Sequence, residues 1–505
     1  MAEPTLRQQL SVAEAQIAGL QESLSDLEQL HREDRGWDLM GAGIAQDLTP
    51  EGRTRVSDMC EMMTIANPLI KRGFRLRHSY VWGGGHTVVV EPGEADKQGA
   101  VNAVVQSVLD DPRNAVSLAS EEAVEGLERW LYTHGSVVLL LHTPEAQEGK
   151  PSGEVVVRQE DPDHITDFIT DPEDAKTVWY WKRQYQVRNI KADGTPGAYK
   201  NVTVWHPDVD YHPTGADRLE KIGRHEVRWD QPLIVRGVNT PARAGWAWGM
   251  PDAYAAVPWA RMSKEFLEAW YTLMRALARY AWRTQAKSGA AAKRAAEAAR
   301  GVQQAAVNPT GSGAHAIMDQ NTTLEAVPKS GATIDASSAL PLQQFVAAAL
   351  DVPLTMLLGD PGITGARSVA ETLDQPMEDA MSARRRFWGE IFGKLCDYVI
   401  DVNAAAGKLA GAKAVDVDGR RQVTLPAGWS RTVTVNWPDY DSTPVDVAMK
   451  ALRDADGLDK LPPELIVQLA LKALHVENPD EWLKQMRDAG AFEETPADPR
   501  QADRP

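Results

Sequence analysis

Apolar residues recur at every third or fourth position in several long stretches of the chain, which is the spacing of one face of an α-helix. The clearest stripe runs from Trp259 to Tyr280 and extends over about six helical turns. Another stretch, Val369 to Ala406, contains Pro376, which removes one backbone hydrogen bond and should kink the helix. We therefore predict helices over 5–31, 55–69, 120–132, 259–280, 338–351 and 369–406.

Shorter runs rich in β-branched and aromatic residues have the pattern of strands and are separated by turn-forming clusters such as 192–196. We predict strands over 136–142, 154–159, 178–187, 200–205, 233–238, 314–318, 322–327 and 431–437. Helical and strand patterns are interspersed along the chain, so the predicted fold class is α+β.

The two ends of the chain differ from its body. Residues 5–31 carry a heptad-like apolar seam, which allows a coiled coil but is so short that it favours a single amphipathic arm. The segment from Ala491 onward is acidic and contains prolines, so we expect a disordered tail.

Length and composition indicate a globular protein. The chain has 505 residues, enough for roughly three domains. We expect no signal peptide and no membrane span, since the longest apolar run, Phe345 to Leu350, is far too short to cross a bilayer. The two cysteines, Cys60 and Cys396, suit a reducing compartment.

The net charge of −17 argues against a protein that coats nucleic acid. The charge is unevenly distributed, because residues 252–330 carry ten Lys and Arg against six Asp and Glu, a balance of +4. The rest of the chain therefore carries −21. The basic residues of this segment suit either a solvated helix face or a binding surface.

The glycine-rich segment LLGDPGITGARSVAET, residues 357–372, raises the possibility of a phosphate-binding loop. A P-loop needs two glycines five positions apart, the second followed directly by lysine. Here Gly359 and Gly365 are six apart and Arg367 replaces the lysine, so we expect no nucleotide site. Ser368 and Glu371 instead have the spacing of a helix capping box.

One cluster has the residue types of a metal site: His206, Asp208, Asp210 and His212, which share one face if they lie on a strand. The flanking prolines favour a structural turn at the end of a strand instead. The carboxylate groups around Asp161-Pro162-Asp163 and Asp171-Pro172 suit either hydrolase chemistry or ordinary turn initiation, and we expect turns.

Several short motifs follow one another along residues 36–490. They are Asn67-Pro68-x-x-Lys71-Arg72, Gly153-Glu154-Val155-x-Val157-Arg158 before Asp161-Pro162, Gly249-x-x-Asp252 before a long helix, Val352-Pro353-x-x-x-Leu357-Leu358-Gly359, a charged helix reaching Trp388, and Trp437-x-Asp439 after a strand. None is specific alone, but the ordered series resembles the portal (head–tail connector) proteins of tailed bacteriophages with long non-contractile tails. Asp351 departs from the pattern, which has glycine before Val-Pro.

The resemblance implies a portal fold with an α/β wing, long stem helices, a small α/β clip and a helical crown, assembled as a ring of usually twelve subunits. The implied parts are an N-terminal helical arm (1–35), wing (36–250), first stem helix (251–285), clip (286–330), second stem helix (331–358), tunnel loop (359–367), a long kinked helix and strand of the wing (368–440), crown (441–490) and tail (491–505).

The implied function is a non-enzymatic channel at a capsid vertex, through which a separate ATP-driven terminase packages double-stranded DNA, and a platform for head–tail joining. The expected partners are further copies of the chain, the terminase large subunit, a head–tail adaptor, the major capsid and scaffolding proteins, and DNA that passes without sequence readout. The expected location is the virion, after assembly in the host cytoplasm, with no cofactor.

Two sets of site residues follow from the resemblance. The tunnel loop would present Gly362, Ile363, Thr364, Gly365 and Arg367 to the DNA channel, and the clip would present Lys287, Lys293, Arg294 and Arg300 to the terminase or adaptor. The alternative from another class is a metal- or nucleotide-dependent enzyme that uses His206, Asp208, Asp210 and His212, or the 359–368 loop.

Overall fold

The computed structural model describes most of the chain between residues 47 and 487, in two units, Met1–Asn436 and Trp437–Pro505. The described residues are 47–96, 99–144, 152–190, 194–241, 246–278, 282–286, 290, 293, 315–319, 336–359, 367–417, 420–438, 450, 452–454, 462–473, 482–483 and 486–487. The predicted N-terminal arm and acidic tail lie outside them. The fold mixes helix and sheet, so the α+β prediction is confirmed.

The first unit begins with two helices joined at a single residue, α1 (Pro50–Ala66) and α2 (Pro68–Trp82). Asn67 ends the first helix and caps the second, because its side chain accepts hydrogen bonds from the amides of Leu69 and Ile70. Proline at the first position of α2 suits a helix start. The predicted helix over 55–69 is therefore wrong at its C-terminal end, because α1 ends at Ala66. The chain turns after Trp82, where Gly85 has φ 75°.

Three further helices precede the sheets: α3 (Ala100–Leu109), α4 (Pro112–Leu118) and α5 (Glu121–His134). The first two were not predicted. The third begins as predicted, with the Ser120 hydroxyl accepting from the amide of Ala123, and ends at Gly135 in the left-handed conformation. Its buried face, which includes Leu127 and Leu131, forms part of the core.

Two three-stranded antiparallel sheets supply the β structure of this region. One has the order β3 (Val156–Glu160), β2 (Ser136–His142) and β9 (Leu233–Gly237). The other has the order β4 (Ile165–Thr170), β5 (Val178–Ile190) and β6 (Pro196–Pro207). A core cluster containing Val138, Ile165, Trp181 and Leu233 joins the two sheets. All five strands predicted here exist, whereas β4 was not predicted.

Smaller strand pairs lie around these sheets. They are β1 (Thr87–Val90) with β14 (Val433–Asn436), β7 (Lys221–Ile222) with β8 (His225–Glu226), and β12 (Lys413–Val417) with β13 (Arg420–Thr424), all antiparallel. The pairing of β1 with β14 is a long-range contact within the first unit, because about 340 residues separate the two strands in the sequence.

The central part of the chain contains α6 (Val257–Ala278), which matches the predicted apolar stripe. Residues 282–286 form strand β10, which pairs in parallel with β11 (His315–Asp319). A stem helix that continues to residue 285 is therefore wrong, because β-branched and aromatic residues at the end of the segment pair as a strand. The β11 strand confirms the prediction near 314–318, and the prediction at 322–327 lies outside the described residues.

The third helical segment contains α7 (Leu340–Ala349) and α8 (Leu354–Leu358), and the predicted break falls between them. Asp351 has φ 55° there, in the left-handed region that glycine occupies most readily, which is the position where the resemblance expects glycine. Gly359 ends α8 in the same conformation, at φ 68°.

A 39-residue helix, α9 (Arg367–Ala405), follows and contains Pro376. It begins two residues earlier than predicted, so Ser368 is its second residue and not the cap residue before it. The second unit contains α10 (Pro463–Ala473). No helix among the described residues is both long enough and apolar enough to span a bilayer.

Candidate functional site: an exposed apolar helix face

Helix α6 is amphipathic, but beyond its first two turns Phe266 and Trp270 are only half-buried and the other described apolar side chains are exposed. Val257, Ala260 and Ser263 are buried, and none of the residues from Lys264 to Met274 is. The exposed apolar side chains are Met262, Leu267, Tyr271, Leu273 and Met274, with exposed fractions from 37% to 61%. Leu267, Tyr271 and Met274 are spaced by four and three residues, so they share one side of the helix.

The neighbouring helix α7 covers only the base of α6. The rings of Trp259 and Phe345 stack with centroids 4.4 Å apart, while Phe345 remains 52% exposed. Leu358 in α8 is also exposed. The exposed apolar side chains of α6 and α7, which we call the stem face, are Met262, Leu267, Tyr271, Leu273, Met274 and Phe345. Leu267, Tyr271 and Met274 share one side of α6, whereas Met262 and Leu273 lie on another.

A group of large apolar side chains on the surface is the usual mark of a protein–protein contact. Each such side chain contributes about 1.5–3 kcal/mol when it passes from full exposure to full burial. The side chains of the stem face are 37–61% exposed in the single chain, so each would contribute a part of that amount when buried in an interface.

A buried charged cluster fixes the position of α6. Asp252, five residues before the helix, receives ion pairs from Arg77, at 2.5 Å, and from Arg384. The side-chain amide of Asn239 also donates to this carboxylate at 2.9 Å. Burial alone would raise the pKa of Asp252, but Arg384 and Arg77 outweigh it and hold the pKa below its usual range.

The same cluster holds the end of α7, because Arg77 donates to the carbonyl oxygen of Leu350 at 3.1 Å. Arg77 of α2 therefore contacts both the segment that precedes α6 and the residue that ends α7. The two helices that carry the stem face are thus anchored to the same rigid group.

Glu128 completes the cluster from α5. Its carboxylate accepts from Arg384 at 3.0 Å and from the indoles of Trp82 and Trp388 at 3.2 and 2.8 Å, and the residue has no exposed surface. Sequence analysis missed Glu128 and Arg384. A signal was present, since Glu128 falls on the apolar face of its helix together with Val124 and Leu131, where an acidic residue needs a buried partner.

The predicted tunnel-loop residues are almost all outside the described part of the chain. Gly362, Ile363, Thr364 and Gly365 lie in the interval between α8 and α9, and Arg367 is the first residue of α9. Of the predicted clip residues, Lys293 is described and exposed, whereas Lys287, Arg294 and Arg300 are not described. The structure therefore leaves both sets as predictions.

Three residues of the alternative metal cluster contact structural partners, while Nε2 of His206 is buried without a hydrogen-bond partner among the described residues. The His206 ring bonds through Nδ1 to the carbonyl oxygen of Gln231 at 2.7 Å, and burial lowers its pKa to about 4. Asp208 accepts from the Trp181 indole at 2.9 Å, and Asp210 pairs with Lys394. These bonds support the structural interpretation of the segment.

The Asp-Pro segments initiate turns, as predicted. The side chain of Asp161 accepts from the amide of Asp163 at 2.9 Å, and that of Asp171 accepts from the amide of Glu173 at the same distance. Hydrogen bonds of this kind close a turn around the proline.

Several solved structures are similar to this chain at low identity. One is a chain from the neck of a native gene transfer agent (GTA) particle computed with C12 symmetry, which is 14% identical, has a TM-score of 0.42 and matches over 82% of this chain and 93% of that chain. A chain from the neck of an empty GTA particle computed with C6 symmetry is 15% identical, with a TM-score of 0.38 and coverage of 80% and 90%. A chain from the virion of a native GTA particle is 16% identical, with a TM-score of 0.35 and the same coverage. No protein-family profile and no curated protein matches the chain.

Proposed function

We propose that this chain is a phage-type portal protein, which forms a ring at a capsid vertex. The ring is the channel through which a terminase packages double-stranded DNA and the platform to which the tail is joined. The observation that carries the proposal is the stem face, a set of exposed apolar side chains on two helices that are anchored at one end by the same buried cluster. The ordered motifs of the sequence support the same conclusion.

In this proposal, α6, α7 and α8 are the stem, and the stem face contacts the neighbouring subunit. The mixed helices and sheets from residue 36 to 250 are the wing, together with α9 and β14. The β10–β11 pair belongs to the clip, and α10 to the crown. Head–tail connectors of this kind have twelve subunits, which is the number we propose for this ring.

The charge of the chain suits a conduit for DNA. A protein that neutralises many phosphates holds DNA tightly, because each contact releases counterions. With a net charge of −17, this chain makes few such contacts, so DNA can slide. The basic residues of the clip, among them Lys293 and Arg294, would instead face acidic surfaces of the terminase or adaptor.

The enzyme alternative has less support. Its metal cluster uses His206, Asp208 and Asp210 for hydrogen bonds and an ion pair within the fold, and its glycine loop lacks the lysine of a P-loop. We therefore assign neither set a catalytic role.

The test of the proposal is the mass of the native assembly. Native mass spectrometry of the purified chain at micromolar concentration, with and without scaffolding protein, should show a closed ring whose mass is a multiple of 55.4 kDa, with twelve copies expected. A chain that stays monomeric under both conditions would contradict the proposal.

The loop between α8 and α9 gives a second test. Residues 361–364 are proline, glycine and threonine apart from one strongly apolar residue, Ile363, so their deletion should leave ring assembly and melting temperature unaltered. The same rings should package or retain DNA poorly, because the loop contacts DNA in the channel. The measurement is DNA protected from nuclease per particle.

A matched control for this deletion is triple glycine at 191–193, in the connection between β5 and β6. This change should affect neither the rings nor packaging. If the loop deletion instead blocks assembly, while any rings that form package normally, the loop is a structural element and its assignment to the channel is wrong.

A further inference from the structure

A compact group of polar side chains lies where the C-terminal end of α5 meets the turn between β3 and β4. His134 is the last residue of the helix, and Asp161 and Asp163 flank Pro162 in the turn. One possible ligand atom from each of the three residues lies within 4.8 Å of the other two. None of these residues takes part in the stem face or in the cluster around Asp252.

The hydrogen bonds of Thr133 determine which nitrogen of His134 carries a proton. The Thr133 hydroxyl lies 2.8 Å from the carbonyl oxygen of Arg129, which only accepts, so the single hydroxyl proton is used there. Nδ1 of His134 lies 2.8 Å from the same hydroxyl oxygen and must be the donor. In the neutral ring, Nε2 therefore has a free lone pair.

That lone pair faces a carboxylate. The His134 side chain is 5% exposed, and its Nε2 lies 3.8 Å from Oδ2 of Asp163. A neutral imidazole nitrogen and a carboxylate oxygen are both acceptors, so a cation between them would satisfy both.

Arg53 and Thr133 hold these groups in place, as the residues that contact metal ligands commonly do. Arg53 donates to the carbonyl oxygens of Pro162 and Ile165, at 3.1 and 2.8 Å, and lies 3.6 Å from Oδ1 of Asp163. It therefore holds the turn and leaves Oδ2 directed at His134. Thr133 holds the imidazole from the other side, as partners of metal-bound histidines commonly do. The C-terminal end of α5 adds a negative potential.

We propose that Nε2 of His134 and the carboxylates of Asp161 and Asp163 bind one divalent transition-metal ion of the Zn²⁺ type, which joins α5 to the β3–β4 turn. One imidazole and two carboxylates favour Zn²⁺ over Mg²⁺ or Ca²⁺, which prefer oxygen ligands alone. Ligands about 2.1 Å from one ion lie at most about 4.2 Å apart, so binding requires only a small contraction of the group.

The test is isothermal titration of Zn²⁺ into the tag-free protein after treatment with a chelator. The wild-type chain should bind one ion per subunit at this site, and the ion should raise the melting temperature. His134→Gln and Asp163→Asn should each weaken binding at least tenfold. Asp161→Asn, at a more exposed position, is a third variant that keeps the test decisive if one of the others fails to fold.

The matched control is His142→Gln. His142 also lies 3.8 Å from a carboxylate, that of Asp230, but it is 42% exposed and has only one such partner. This variant should bind Zn²⁺ as the wild type does. Affinity of the wild type should also fall at acid pH, because protons compete with the ion for its ligands.

Three outcomes would overturn the proposal: no binding by the wild type, unchanged binding by His134→Gln, or equal losses in His134→Gln and His142→Gln. If Zn²⁺ does not bind, His134 and Asp163 are structural residues of the turn. Ring mass is measured separately, so none of these results bears on the proposed portal function.

Discussion

Aspartate at both Leu267 and Tyr271 should convert the ring to monomers. These side chains lie one turn apart on the stem face and are 37% and 61% exposed in the single chain. In a ring they would be buried against the neighbouring subunit, where an unpaired carboxylate costs several kcal/mol. The penalty recurs at every subunit contact, so sedimentation velocity should show the mass of one chain.

The matched control for this prediction places aspartate at Ile190 and Tyr199, two apolar residues of the β5–β6 hairpin that are 78% and 65% exposed. These positions lie away from α6 and should leave the ring mass unaltered. Circular dichroism should show that both double variants remain folded, because none of the four side chains is buried within the chain. A ring that survives aspartate at Leu267 and Tyr271 would refute the assignment of the stem face.

Replacing Arg384 with leucine should destabilise the first unit by about 3–5 kcal/mol, which is the usual cost of removing one partner from a buried ion pair. The substitution leaves Asp252 and Glu128 in the core without their shared arginine. The measurement is the free energy of unfolding from urea titration, monitored by tryptophan fluorescence, since Trp82 and Trp388 both donate to Glu128.

The control for Arg384 is Arg75→Leu, which breaks the pair between Arg75 and Glu125 at 3.1 Å. That arginine is 52% exposed, so its loss should cost less than about 1 kcal/mol. If the two variants lose similar stability, the cluster is not the anchor of α6 that we infer.

The cluster also predicts a pH dependence. The pKa of Asp252 is lower in the folded chain than in the unfolded chain. Its contribution to stability is therefore fully present at pH values above the pKa that Asp252 has in the unfolded chain. The contribution is lost as the pH falls through the folded value. The free energy of unfolding should therefore fall less on acidification in Asp252→Asn than in the wild type, provided that the variant folds.

Local patterns predicted many elements well. The strand over 136–142 was predicted at both ends because Gly135 and a run of apolar residues set its limits. The break before Pro353 was predicted because a residue that precedes proline avoids the helical conformation. At Asp351 the backbone requirement is the same as for glycine, and aspartate meets it.

Other elements were missed because their signals are not local. The short helices α3 and α4 carry few residues each, and β1 is stabilised by a partner strand, β14, at the other end of the first unit. The strand β10 was missed because the resemblance implied a stem helix over 251–285, although the apolar spacing itself ends at Tyr280.

The sequence by itself determined the alternation of helices and strands, the helix break at Pro353 and the apolar stripe of α6, because each depends on residues within a few positions of one another. It did not determine which side chains of that stripe are covered. Only the tertiary structure decided that Arg77, Arg384, Glu128 and Asp252, from four separate segments, meet in one buried cluster, and that His134 faces Asp163. Such contacts join residues far apart in the chain, and long-range packing alone brings them together.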